Sequence, residues 1–479
     1  MKRAELVFVP APGISHLVST VEFAKLLINR DERLSITFLV MKLPFDTKVD
    51  AYTQSLTSSF AAGRVRFIDL PIHKPDGDKT HPRSFFTTFI ENKKPHVREE
   101  VSKLTESNSG PDSPRLAAFV VDMFCTTMSE VANEFGVPTF VFFTSGAAFL
   151  GLVLHINTLR ERDNVDSTEF KDSDTELEIP SFANPVPAKV LPSLITEKEG
   201  ISFAVNYAKS LKAAKGIIVN SFEELESHAI QSFSDSGYPI IYPVGPVLSL
   251  KGDYESGSHV KDDVIKWLDD QPESSVVFLC FGSRGGFDGD QVKEIARALE
   301  ESGVRFLWAL RKPPPKGTMG APTVYDNLEE ILPEGFLDRT AQIGKIIGWA
   351  PQVEILAHTA VGGFVSHCGW NSTLESIYFG VPIATWPLYA EQQLNAFLIL
   401  ELGLGVEIAM DFRVDFMSER NVVLGAEKIV KGIKDLMVEE SEIRKKSKEM
   451  SEKSRSTLAQ GGCSYSYLGK FIDDILCLI

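Results

Sequence analysis

Residues 349–392 read WAPQVEILAHTAVGGFVSHCGWNSTLESIYFGVPIATWPLYAEQ. A Trp opens the stretch, and the apolar run Gly362-Gly363-Phe364-Val365 leads into Ser366-His367-Cys368-Gly369. Asn371, Ser372 and Thr373 follow, then a helical pattern over Thr373–Phe379, and Glu391-Gln392 close the segment. This is the order strand, Gly-assisted turn, helix N-terminus, which offers unpaired backbone N–H groups and a helix dipole to a phosphate. Asn, Ser and Thr all favour helix starts.

The same alternation extends in both directions. Val276–Phe281 reads as a strand and runs into a Gly-rich turn, Phe281-Gly282-Ser283-Arg284-Gly285-Gly286. A helix over Asp290–Ser302 and strands at Val304–Leu310, Ile343–Gly348 and Gly363–Ser366 complete that half. Toward the N-terminus, Leu6–Pro10, Ile36–Met41, Val65–Asp69, Ala117–Asp122, Thr139–Phe143 and Gly216–Asn220 read as strands. Leu17–Asn29 and Thr126–Phe135 read as helices between them. Apolar runs alternating with amphipathic stretches predict β-α-β units and parallel sheets. Ser221, three residues before Glu224, has the spacing of a capping box. Tyr242-Pro243-Val244-Gly245-Pro246 and the Gly-, Ser- and charge-rich 251–259 stretch suggest a linker. Ser441–Arg455 predicts a solvated helix face, and Tyr465–Leu478 a final helix.

At 479 residues the chain exceeds one ordinary core, so two domains are expected. Its formal charge of −16 argues against non-specific nucleic-acid binding, which depends on cationic side chains meeting phosphates. Five unclustered cysteines without a C-x-x-C pair argue against a zinc or disulfide framework and favour a reduced, cytoplasmic setting. The apolar run after Met1-Lys2-Arg3 is too short for a signal peptide, and no run suits a membrane span.

The 349–392 segment resembles the nucleotide-sugar box of plant family 1 UDP-dependent glycosyltransferases, and the likeness covers almost the whole chain. It implies an α/β fold of GT-B type: two Rossmann-like domains facing across a cleft. The expected layout is an acceptor domain over 1–247, a linker over 248–260 and a UDP-sugar domain over 261–456, with residues 457–479 forming a helix that packs back on the N-terminal domain. The resemblance places Trp349 on uracil and Gln352 beside base and ribose. It assigns His367, Asn371 and Ser372 to the diphosphate and Glu375 to the ribose hydroxyls. Glu391 and Gln392 face the sugar, and Gln at that place implies a glucose preference. Trp370 belongs to the same box; in relatives that use glucuronate an Arg often stands there. Ser283 is the contact in the second Gly-rich turn, while Arg284 either reaches the diphosphate or points into solvent.

Two further residues complete the expected site. His16, in Pro10-Ala11-Pro12-Gly13-Ile14-Ser15-His16, matches the family's general base, with Ser15 where the family has Gly. Asp122 ends an apolar run at a strand's C-terminal edge, where α/β sites collect. By resemblance it orients His16, and a fixed carboxylate raises imidazole basicity. Thr144 matches a residue near the sugar's 6-hydroxyl or the diphosphate. The implied reaction is inverting, metal-independent transfer from UDP-glucose, the donor co-substrate, with no other cofactor. Asp76-Gly77-Asp78 and Asp288-Gly289-Asp290 have D-x-D spacing, but lie in polar Gly turns where Asp is common for backbone reasons.

The acceptor side is read from aromatics. Of 32 Phe, 21 precede Tyr238. Phe85, Phe86, Phe89, Phe124 and Phe149 fall in segments matching the family's acceptor cleft. An apolar flavonoid, other phenolic or triterpenoid is therefore expected, with a monomer as the working state. Two rivals are a nicotinamide oxidoreductase and a silent UDP-sugar binder. The first lacks a G-x-G-x-x-G turn, and the second has no reason to retain His16 and Asp122.

Overall fold

The computed structural model describes residues 3–43, 48–56, 63–72, 82–107, 110, 113–234, 237–250, 258–315, 321–414 and 422–479. The Asp76–Asp78 motif and linker residues 251–257 lie outside them. In chain order the N-terminal strands are β1 (Ala4–Val9), β2 (Leu34–Val40), β3 (Val65–Asp69), β4 (Arg115–Asp122) and β5 (Thr139–Phe143). A short antiparallel ribbon follows, β6 (Glu176–Leu177) with β7 (Val186–Pro187), then β8 (Gly216–Val219) and β9 (Ile240–Pro243). Apart from the ribbon they form one parallel sheet of order β3-β2-β1-β4-β5-β8-β9.

A second parallel sheet contains β10 (Val276–Cys280), β11 (Arg305–Ala309), β12 (Gly344–Ile347), β13 (Val361–Ser366), β14 (Ile383–Thr385) and β15 (Gly405–Glu407). Its order is β12-β11-β10-β13-β14-β15. Each sheet thus runs outward from its first strand in both directions. The order reverses between β1 and β4 in one sheet and between β10 and β13 in the other. Such reversals leave a crevice beyond the strands' carboxyl ends, where α/β proteins bind ligands.

Side-chain alternation explains why both sheets are buried on both faces. Val7 and Val9 join one core, with Val121 and Phe143. Leu6 and Phe8 join the opposite one, with Phe38, Val120 and Phe142. That second core also receives Leu468, Phe471, Ile472 and Ile475 from the helix Cys463–Leu476. Phe471 meets Phe140 edge-on at 5.2 Å, and the Tyr242 hydroxyl donates to Asp474 Oδ2 at 2.7 Å. The last helix of the chain therefore packs on the N-terminal sheet.

Three expectations need correction. Tyr242 and Pro243 are strand residues of β9, and Val244 and Val247 are core, so this stretch is no linker. Pro243 ends an edge strand, where its missing N–H costs nothing. Residues 258–260 already belong to the helix Ser258–Asp269. The capping box is absent: the helix Glu223–Gln231 starts after Phe222, with no side-chain cap. The charged helix Glu442–Ser456 also has a buried stripe of Ser447, Ser451 and Ser454. Small side chains there let it lie on the helix Trp370–Phe379, with Ser451 Oγ donating to the Tyr378 carbonyl at 2.6 Å.

Candidate active site

At the first switch point, β1 runs through Pro10–Gly13 into the helix Ile14–Arg30. Gly13, at φ 128°, makes the turn that a side chain would strain. His16 lies in the first helical turn. Val9 pairs with Val121, so Asp122 emerges one residue further along the neighbouring strand. His16 Nδ1 and Asp122 Oδ2 are 2.8 Å apart. Asp122 is fully buried, and its other oxygen accepts the Phe124 N–H at 2.9 Å. Such a carboxylate fixes the tautomer with a proton on Nδ1, leaving Nε2 to act as a base. Burial pulls the His16 pKa down. The charge and hydrogen bond of Asp122, with the charge of Glu391, outweigh it and leave the pKa raised.

Thr144 sits beside this pair, its hydroxyl 3.2 Å from His16 Nδ1. Its neighbour Ser145 donates to Glu391 Oε1 at 3.3 Å, reaching the other half of the molecule. Burial raises the Glu391 pKa against that hydrogen bond and the charge of His16. Gln392 is buried, its carbonyl oxygen accepting the N–H groups of Leu388 (2.9 Å) and Tyr389 (3.0 Å). Its amide is thus held by its own loop, where Ala390 takes a left-handed φ of 58°. Strain of about 1–3 kcal/mol at such a residue is typical of ligand-binding turns.

The second switch point is built differently. Cys280 pairs with Ser366, which sets the turn at Gly282 beside the turn at Cys368. Gly282 has φ +75°, and a Cβ there would lie 2.4 Å from His367 Nε2. The helix begins at Trp370 after a Gly369 N-cap, three residues earlier than expected, so Asn371, Ser372 and Thr373 occupy its first turn. The N–H of Thr373 reaches Gly369 O, whereas the first N–H groups have no intrahelical acceptor. His367 Nδ1, Asn371 Oδ1 and Thr373 Oγ1 are buried without a hydrogen-bond partner among the described residues. Burial lowers the His367 pKa to about 4, so its ring is neutral at physiological pH. Leaving three buried polar atoms unpaired costs about 1–3 kcal/mol each unless a ligand satisfies them.

Gln352 opens a short helix after Trp349 and donates to Ser372 Oγ (2.9 Å) and Glu375 Oε2 (2.6 Å). Burial pushes the Glu375 pKa up to about 7. Trp349 is half-buried, with the Arg311 guanidinium 4.9 Å from its ring centroid. Arg311 Nη2 also donates to the Ser283 carbonyl at 2.6 Å, tying Trp349 to the second Gly-rich turn. Ser283 and Arg284 are exposed, and the Arg284 charge is felt at Tyr389. Asp288 stands at the N-cap position of the helix Gly289–Ser302, without a side-chain cap hydrogen bond.

Trp370 turns toward the N-terminal half. Its Nε1 donates to the Asn220 carbonyl at 2.7 Å, and its ring packs with Phe222 and Leu225 from the N-terminal half. Asn371 Nδ2 likewise crosses to Ser19 Oγ at 3.1 Å. Sequence reasoning missed Ser19, Asn220, Ser145 and Arg311, because each acts through a contact distant in sequence.

Aromatic rings lead from the base outward. Phe124 meets His16 at 5.3 Å and Phe86 at 6.0 Å, both edge-on. Phe85 stacks on Phe89 at 6.2 Å. Phe85, Phe86 and Phe124 are partly exposed, whereas Phe89 and Phe149 are core residues. Tyr207, on the helix Lys198–Ala213, was also missed. It is buried with its hydroxyl unpartnered among the described residues, and burial plus the charges of Asp122 and Glu391 raise its pKa.

A family model for UDP-glucoronosyl and UDP-glucosyl transferase matches residues 119–446. A strawberry (Fragaria ananassa) protein called UDP-glucose flavonoid 3-O-glucosyltransferase 6 is 56% identical, over 99% of both chains. An anthocyanidin 3-O-glucosyltransferase 1 from Manihot esculenta is 52% identical over 97% of this chain and all of its own. Among solved structures, a transferase from Siraitia grosvenorii in complex with UDP superposes with TM-score 0.87 at 47% identity, covering 99% of this chain and all of that one. A Medicago truncatula enzyme complexed with UDP-glucose gives 0.86 at 42% identity, over 99% and 98%. Two facing Rossmann-like sheets with sites at both switch points define a glycosyltransferase of the GT-B fold. The chain belongs to the UDP-glucuronosyl and UDP-glucosyl transferase family.

Proposed function

We propose that this enzyme transfers glucose from UDP-glucose to a hydroxyl of an apolar plant phenol, a flavonoid 3-hydroxyl first among the candidates, and inverts the anomeric centre. The observation that carries this reading is the His16–Asp122 pair, 2.8 Å apart and facing Glu391 across the cleft. His16 Nε2 takes the acceptor's hydroxyl proton as its oxygen attacks the anomeric carbon. The bond from that carbon to the diphosphate oxygen breaks, and UDP leaves on the opposite face. An α-linked donor thus gives a β-glucoside, with no glycosyl-enzyme intermediate. Base catalysis of this kind contributes roughly 10²–10⁴ in rate.

The donor residues divide the nucleotide sugar among them. Trp349 stacks on uracil with Arg311 behind it, and Gln352 releases Glu375 to the ribose hydroxyls. The diphosphate meets the N-terminus of the helix Trp370–Phe379, His367, Asn371, Ser372 and the Ser283 turn. The first helical N–H groups there, which lack an intrahelical acceptor, and the unpartnered Thr373 hydroxyl support an anionic ligand. Glu391 and Gln392 take the glucose hydroxyls, and Thr144 supports His16. Phe85, Phe86 and Phe124 form the apolar wall for a flat acceptor, with Phe89 and Phe149 packing behind. The flavonoid preference rests on the names carried by the strawberry and Manihot relatives. We assign residues 1–247 to the acceptor domain and 261–456 to the donor domain, and a cytoplasmic monomer as the working state. Among the described residues no helix is long and apolar enough to cross a membrane.

The test is incubation of purified protein with UDP-glucose and a panel of flavonols, simple phenols and triterpenoids, with and without EDTA. Product formation followed by mass spectrometry should give a flavonol glucoside unaffected by EDTA and lost in His16→Ala. Loss of product on chelation, or retention in the variant, would contradict the mechanism.

A further inference from the structure

The capping motif that failed at its own helix leads to a buried acid with another task. The helix Glu223–Gln231 is kinked at Glu226, whose φ and ψ of −124° and 43° are not helical. The kink turns the Glu226 carboxylate inward, where it is 3% exposed. One oxygen accepts the Ala147 N–H and the other the Ala148 N–H, both at 2.8 Å. These are the first two residues of the helix Ala147–Asp163, whose Gly146 N-cap supplies no side chain. A carboxylate at that end satisfies two orphan donors and meets the positive end of the dipole. Burial raises the Glu226 pKa, and the two N–H groups its oxygens accept oppose that rise by favouring the ionised group.

The residues immediately before this helix are Thr144 and Ser145, which touch His16 Nδ1 at 3.2 Å and Glu391 at 3.3 Å. Gly146 itself is wedged between the two halves. A Cβ there would lie 2.9 Å from Glu226 Oε1 and 2.9 Å from the Trp370 ring. Trp370 is held in turn by the carbonyl of Asn220, six residues before Glu226. Glu226, Gly146 and Trp370 therefore form one buried junction. On one side it carries the loop beside the base, on the other the start of the donor-side helix.

We propose that Glu226 is a positioning residue: its carboxylate fixes the Thr144–Ser145 loop against both His16 and Glu391, and so sets the basicity of His16 and its alignment with the sugar-side acid. The inference deepens the reading of the site given under Proposed function. Glu226 touches no substrate in this account. Its neutral isostere, Gln, can accept one of the two N–H groups but presents an NH₂ to the other. The loop is then released from one anchor, and the Ser145 bond that favours ionised Glu391 weakens. With less negative charge opposite it, His16 becomes less basic.

The experiment compares wild type, Glu226→Gln and Glu226→Asp by NMR titration of ¹³C-labelled histidine, assigned with His16→Ala, and by initial rates with UDP-glucose and a flavonol. The proposal expects the His16 pKa to fall by about half a unit in Glu226→Gln. It expects kcat to fall about tenfold or more, with calorimetric UDP affinity within about twofold of wild type. Glu226→Asp, which keeps the charge on a shorter arm, should fall between the two and serves as the reading variant if Glu226→Gln does not fold. An unchanged His16 pKa and kcat with only a lowered Tm would reduce Glu226 to a helix cap and overturn the proposal. A shifted His16 pKa in a protein whose wild type transfers no sugar would uphold the positioning role and sink the transferase mechanism instead.

Discussion

The two switch points of this molecule have the same topology and differ in the polar satisfaction of their central residues. Beyond β1 and β4, His16, Asp122 and Thr144 bond to one another, and a backbone N–H saturates the remaining carboxylate oxygen. Beyond β10 and β13, His367, Asn371 and Thr373 each hold a buried polar atom with no protein partner among the described residues. A base must be oriented before its substrate arrives, so its network closes within the protein. A diphosphate site must keep donors open, and here these are the first helical N–H groups and the Thr373 hydroxyl rather than Asn371, whose amide N–H is bonded to Ser19. On the proposed reading the difference separates a preorganised catalytic pair from a receptor for an anion, although both stand on Rossmann-like sheets.

The sharpest way to break this division is to remove the base. His16→Ala should lower kcat about 10²- to 10⁴-fold in rate assays. Next comes the donor side: Glu375→Gln should weaken UDP-glucose by about 10- to 100-fold, the worth of charge-assisted hydrogen bonds to the ribose. Saturating donor should restore most of the kcat of that variant. A parallel loss of kcat would mean that the two regions are not separable.

A pH titration sharpens the comparison further. The Glu375 carboxyl, pushed up to about 7 by burial and proposed above to hold the ribose hydroxyls, would accept them most strongly when ionised. UDP-glucose should therefore bind about tenfold more tightly at pH 8 than at pH 6, a dependence that Glu375→Gln abolishes. Calorimetry on His16→Ala protein measures this without turnover. The His16 pKa is raised, so the acid limb of kcat/KM should lie above its ordinary 6.5 and move downward in Asp122→Asn. The smallest expected effect is at Gly282→Ala. Its Cβ would press on His367, and its φ of +75° disfavours a side chain, so UDP affinity should fall several-fold while the His16 titration is unmoved.

Much of this was legible before any coordinates. The strand Thr139–Phe143 coincides with its apolar run, because a strand buried on both faces reads as a continuous hydrophobic segment. The helix Ala147–Asp163 was not legible for the complementary reason: Ala147 through Leu154 are all buried, so no polar face marks its period. The strand β14 has three residues, too few to carry a pattern. Within the site, His16 and the 349–392 box stand out because their chemistry is clustered along the chain. Glu226, Arg311 and Tyr207 do not, since nothing near them in sequence tells which turn, ring or carboxylate they will meet. Trp370 shows a subtler limit. Its place in the box suggested the nucleotide, whereas its indole N–H is bonded to the other half of the molecule.

The central claim is that base and donor receptor are independent parts, and a calorimetric titration of UDP into His16→Ala tests it most directly. The expected result is a Kd within about twofold of wild type in a protein that no longer transfers sugar, since His16 is proposed to act on the acceptor and not the nucleotide. A loss of UDP affinity comparable to the loss of rate would contradict it, and would make the two switch points a single coupled site.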